Sequence, residues 1–166
     1  MKEILTRYAA YNHWANSQFV ENFLLLDDEL LKANSPGSFN SLYKTLVHIW
    51  EAENIWWRRL NLEENVPVPG FMEELPVQEV GRGLLQQSQM IAQWVLSARA
   101  EKIDHVIAYR NSKKIEFKQP VYEVLLHLFN HQTYHRGQLV SMMHHMNISK
   151  IPNSDYIAWS RKNKIE

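Results

Sequence analysis

Four long stretches of this sequence place their apolar side chains at three- and four-residue steps. That period puts a buried stripe along each of four helices, and the stripes can leave water only by covering one another. The first helix is predicted over 1–26, with Ile4, Tyr8, Tyr11, Ala15, Phe19 and Leu26 inward. Asn34, Ser35, Pro36 and Gly37 then break the chain. The second helix is predicted over 41–61, capped by Ser38 or Asn40, with Leu42, Leu46, Ile49, Ala52, Trp56 and Leu60 on its inner face. The third spans 77–100, weakened at its start by Gly81 and Gly83, and the fourth spans 121–146 behind Pro120.

Two connections depart from this pattern. Residues 61–76 carry Pro67, Pro69, Gly70 and Pro76, and are longer than neighbouring helices need, which suggests a crossover or a flap over a site. Residues 105–119 hold two short runs around a polar Asn111-Ser112-Lys113 turn, with Ile115 and Phe117 alternating against charges, and read as a hairpin. A single helical turn is expected near Ile157 and Trp159. The expected class is therefore all-α: one domain over 1–166, an antiparallel four-helix bundle with a short β-hairpin insertion before the last long helix.

At 166 residues and 45% apolar content the chain can bury a core without cross-links. Its 18 basic and 18 acidic residues cancel, so no broad positive field draws it to nucleic acid. No apolar run reaches the roughly 20 residues that cross a bilayer, and Met1-Lys2-Glu3-Ile4 lacks a signal-peptide pattern, so the expected location is the cytoplasm, with no membrane partner. Without cysteine there is no thiolate ligand or cysteine nucleophile in the chain. Any thiol chemistry uses an external thiol.

The 8 histidines carry the chemistry that remains. On a wheel for the fourth helix, Leu128, Leu139, Met142 and Met146 lie within about 60° of Val121, as does His135, with His131 on the edge. Imidazoles four residues apart share a face and can reach one cation, although such a pair alone is weak evidence. A third ligand must come from another helix, and His48, on the edge of the second helix's stripe, is placed to supply it. Three imidazoles would leave one position open to water or substrate. His127 has a supporting or surface role, His144 and His145 are expected to be exposed, and His13 and His105 have no partner pattern. No histidine has glutamate three residues before it, which disfavours a di-iron bundle.

Glu53 falls near the centre of an apolar stripe, where a lone charge would cost several kcal/mol. It is either a general base or acceptor behind a metal ligand, or half of an ion pair with Arg136 or Arg58. The ion pair is the favoured reading. Trp14, Trp50, Trp56 and Trp57 are read as packing before they are read as a substrate box.

The sequence resembles the DinB-like family, also described as the DinB/YfiT group. The resemblance covers nearly the whole chain. It rests on Tyr11-Asn12-His13-Trp14-Ala15-Asn16, on Ser41-Leu42 and Leu46-Val47-His48-Ile49 through Glu53 and Trp56, and on His127-Leu128-Phe129-Asn130-His131-Gln132-Thr133-Tyr134-His135-Arg136-Gly137-Gln138. It implies a four-helix bundle, often a homodimer, with one divalent ion (zinc or nickel, with iron as a further option) on His48, His131 and His135. It also implies a stress-response setting without DNA binding, and relatives that use low-molecular-weight thiols as cosubstrates.

The leading expectation is a metal-dependent thiol S-transferase that joins an external thiol to a small electrophile through a metal-activated thiolate. Two others stand beside it: a metal-dependent small hydrolase with Glu53 as base, and a non-catalytic stress-induced bundle that holds metal or a ligand.

Overall fold

The computed structural model describes residues 1–63, 66–67, 70 and 75–163. The chain is mostly helical: α1 (Lys2–Phe23), α2 (Asp28–Lys32), α3 (Leu42–Leu60), α4 (Val77–Ser97), α5 (Ala100–Asp104), β1 (Val106–Arg110), β2 (Glu116–Pro120), α6 (Val121–His145) and α7 (Tyr156–Lys162). The two strands pair antiparallel, with Tyr109 opposite Phe117, and form a small two-stranded sheet.

The helix ends follow local chemistry. α1 stops at Phe23, three residues before the expected end, and the following turn leaves Leu25 exposed. The cap of α3 is Ser41, not Ser38 or Asn40. Asn40 adopts a left-handed φ of 58°, whereas Ser41 is extended and its side chain accepts from Lys44 N–H at 3.1 Å. α4 ends at Ser97 because Ala98 turns extended, and a separate five-residue helix, α5, begins at Ala100, where the expected helix was to end. The short helix α2 lies in the stretch read only as a break, and the expected turn near Trp159 is the seven-residue α7.

The four long helices pack in a ring in which α1 and α3 each contact α4 and α6. Their directions correct the expected antiparallel arrangement. Tyr8 meets Phe129 with ring centroids 5.3 Å apart and Asn12 bonds Arg136, so α1 and α6 run in the same sense. Asn54 bonds Gln87 and Trp57 meets Trp94, so α3 and α4 also run together. Of the four neighbouring pairs in the ring, only α1 against α4 and α3 against α6 are antiparallel. The physical reason is the long 61–76 connection, which lets the chain return to its starting end before α4 begins. Residues 64, 65, 68, 69 and 71–74 of that connection, including Pro69, lie outside the described residues.

The core is divided. Phe19, Phe23, Leu46, Leu84 and Met142 fill one end, and Leu5, Ile91, Val95, Leu125 and Leu128 fill the other. Between them lies a buried polar layer with Asn12 and Asn16 from α1, Glu53 from α3, Ser88 from α4, and Gln132, His135 and Arg136 from α6. No helix among the described residues is long and apolar enough to cross a membrane.

Candidate metal centre

His48 comes from the second turn of α3, and His131 and His135 from successive turns of α6. Because α3 and α6 are antiparallel neighbours, the three imidazoles meet. His131 Nε2 lies 3.1 Å from His48 Nε2 and 3.1 Å from His135 Nε2, and one nitrogen from each ring falls within 4.8 Å of the other two. Two nitrogens on a tetrahedral zinc are about 3.4 Å apart, so this spacing matches a shared cation.

Side chains behind the cluster fix which nitrogen faces inward. Gln138 Nε2 donates to Ser38 Oγ at 2.8 Å, which leaves Gln138 Oε1 as the acceptor 2.9 Å from His135 Nδ1. Nδ1 therefore carries the proton, and Nε2 presents a lone pair to its neighbours. Phe39 stacks on His48 with ring centroids 4.1 Å apart and closes that side.

Burial, and after it the neighbouring His135, hold the His48 imidazole down at about 4. Burial, then His135, His48 and His127, hold His131 at about 3. Burial lowers His135 as well, opposed by the Gln138 hydrogen bond. The three rings are thus neutral donors at neutral pH, as metal ligation requires. They also fit a cation better than they fit one another. One N–H on His131 Nε2 can satisfy only one of its two 3.1 Å contacts and leaves a lone-pair clash at the other, whereas a cation satisfies all three nitrogens.

The cluster opens on a cavity of about 880 Å³, lined by His48, Glu51, Trp56, Arg59, Tyr109 and His131 among others. The β1–β2 hairpin supplies one wall, and Val66 and Pro67 of the long connection contribute to another. Trp56 is accordingly a cavity wall as well as packing. Its ring lies 4.9 Å from His127, which lies 6.0 Å from His131, so an aromatic row joins the cluster to the far end of the cavity.

Glu53 and Arg136 lie elsewhere, in the polar layer. Glu53 Oε1 accepts from Asn12 Nδ2 at 2.8 Å and from Asn16 Nδ2 at 3.2 Å, while Arg136 Nη1 donates to the carbonyls of both asparagines at 2.8 Å. The expected direct ion pair is therefore replaced by an asparagine bridge, and Arg58 is engaged by Asn54 and Glu63. Glu53 does not line the cavity, and the acceptor behind a clustered histidine is Gln138. His13 contacts Ser88 Oγ at 3.0 Å, and His105, His144 and His145 are exposed.

Sequence reasoning missed Glu51, Arg59, Gln138 and Phe39. Glu51 was within reach of it, since it follows His48 by three residues and shares its helix face. Arg59 and Phe39 owe their positions to packing between elements, which no local pattern marks.

The DinB family model matches residues 1–158. The chain is also similar to Protein DinB of Bacillus subtilis (strain 168), at 23% identity over 163 residues, covering 94% of this chain and 93% of that protein. A match spanning nearly the whole chain, over the same helices that bring the three histidines together, shows that this chain belongs to the DinB family.

Proposed function

We propose that the protein is a metal-dependent enzyme that transfers a low-molecular-weight thiol to a small electrophile, with His48, His131 and His135 as the metal ligands. The observation that carries this reading is the convergence of three neutral imidazole nitrogens, with His48 and His131 in the wall of a substrate-sized cavity. On such a site, the chemistry a divalent ion supplies is a depressed pKa for a coordinated thiol or water.

The chain's own residues do the rest. Gln138 and Ser38 hold His135 in the tautomer that donates inward. Phe39 shields His48, and Trp56 with Tyr109 gives the electrophile an apolar wall. In the transfer the thiol's proton passes to solvent, a carbon–sulfur bond forms, and the leaving group departs with its electron pair. The four long helices are read as a four-helix bundle with crossover connections, within one domain; the ring of packed helices and the divided core support that reading.

Glu51 favours a second reading. It is a buried carboxylate in the same cavity as His48 and His131, placed where a base for water would be needed in a hydrolase. One experiment separates the readings. Metal-loaded protein is incubated with an activated aryl chloride or an activated aryl ester, each with and without a small thiol. Thiol-dependent loss of chloride supports transfer, and thiol-independent ester cleavage supports hydrolysis. Inertness towards both, with metal retained, leaves a metal-holding protein.

A further inference from the structure

Arg59 lines the cavity at the far end from the histidine cluster. Its guanidinium lies over two aromatic rings, 4.5 Å from the Trp56 centroid and 5.3 Å from the Tyr109 centroid. Its Nε is buried with no hydrogen-bond partner, and no carboxylate pairs with it among the described residues. The other charges at this cavity differ. Glu63 is paired with Arg58 at 3.1 Å, Glu51 accepts from Gly70 N–H at 2.6 Å, and Arg110, Lys114 and Glu116 are exposed on the hairpin. A half-buried, always-charged guanidinium lying over two rings, with no anion on it among the described residues, is an incomplete arrangement.

We propose that Arg59 anchors a carboxylate on the small molecule that occupies this cavity, with the molecule's reacting atom at the histidine cluster. A planar carboxylate can take two parallel N–H bonds from the Nη1 and Nη2 end of Arg59, next to the buried Nε, whose N–H senses the change. Eleven residues separate His48 from Arg59 on α3, about 16 Å of helix axis. The ligand is therefore an extended acid whose middle crosses the Trp56 ring, and acetate-sized acids are too short to reach both ends.

This proposal rests on the reading that the cavity serves the metal centre, and its test is arranged to fail separately. Binding of 4-phenylbutanoate and of its neutral amide is measured by calorimetry on the protein as purified, with metal content determined on the same samples. Wild type is expected to prefer the carboxylate by about ten-fold, Arg59→Gln to lose that preference, and Arg110→Gln to keep it. In wild type labelled with nitrogen-15, the Arg59 Nε–H resonance is expected to shift with the carboxylate and not with the amide, a readout that needs no variant. A carboxylate preference that survives in R59Q overturns the proposal, because the acid is then held elsewhere, at the metal included. No preference in wild type, or an unmoved Nε–H resonance, overturns it as well. If the metal reading fails instead, the wild type carries no metal while the R59Q effect persists.

Discussion

Asn12 donates its side-chain N–H to Glu53 at 2.8 Å and accepts from Arg136 at 2.8 Å with its carbonyl, so one amide mediates between a buried carboxyl and a buried guanidinium. Asn16, one turn on, repeats the arrangement. The result is a hydrogen-bonded layer that ties α1, α3 and α6 together at the level of the histidine cluster. Such a layer is stable only while its members remain satisfied.

Burial pushes the Glu53 carboxyl up from 4.5 to about 8, opposed first by the Asn12 hydrogen bond, then by Arg136 and by Asn16. Between those two values the folded chain keeps a proton that the unfolded chain has released. Stability therefore falls as pH rises through that window. Glu53→Gln keeps the shape and removes the titration. Urea unfolding of the two proteins at pH 5 and at pH 8 is expected to show wild type losing stability relative to E53Q at the higher pH. Parallel pH profiles would contradict this. Glu53→Ala strands both asparagine amides and opens a void, and is expected to cost about 3 kcal/mol at pH 5 and less at pH 8, where wild type has lost the stability that the retained proton supplies.

Gly83 has a packing role that helix propensity alone would conceal. A Cβ there would stand 1.9 Å from a Trp50 ring atom, and one at Gly81 would stand 2.7 Å from Val20. These glycines let α4 approach α3 and α1 closely. Gly83→Ala gains about 1 kcal/mol of helix propensity but overpacks a rigid ring at a cost of about 1–3 kcal/mol. A lower melting temperature is expected; one equal to or above wild type would show that Trp50 moves aside freely.

Gln138 positions His135, and its effect belongs to metal affinity. Gln138→Ala is expected to weaken metal binding about 10- to 100-fold in competition with a chelator, while binding still reaches wild-type stoichiometry at saturation. Ser38→Ala, one bond further out, is expected to act in the same direction and less strongly. Unchanged affinity in Q138A would mean that packing against Phe39, 5.6 Å away, orients the ring without the hydrogen bond.

Much of this was readable in the sequence because it depends on helical spacing. The four-residue step from His131 to His135, and the place of His48 at the edge of its stripe, bring the three rings together once α3 and α6 are neighbours. The burial of Glu53 followed from its place among apolar residues, but its partners did not, since Asn12 and Asn16 lie on a helix about 40 residues away. Even so, two asparagines four apart on the inner face of α1 were a signal of a buried polar layer. Helix direction was not legible: a stripe shows which face is covered and not the sense of the helix that covers it. Arg59 reads as an ordinary cation until the hairpin brings Tyr109 over it.

The central claim is that His48, His131 and His135 hold a single divalent ion. Its most direct test is elemental analysis of metal per chain in wild type and in His48→Ala, His131→Ala and His135→Ala, each shown to be folded. About one ion per chain in wild type, lost in every variant, is the predicted result. Wild-type metal content in any of the three variants, or none in wild type prepared with ample metal, would contradict it.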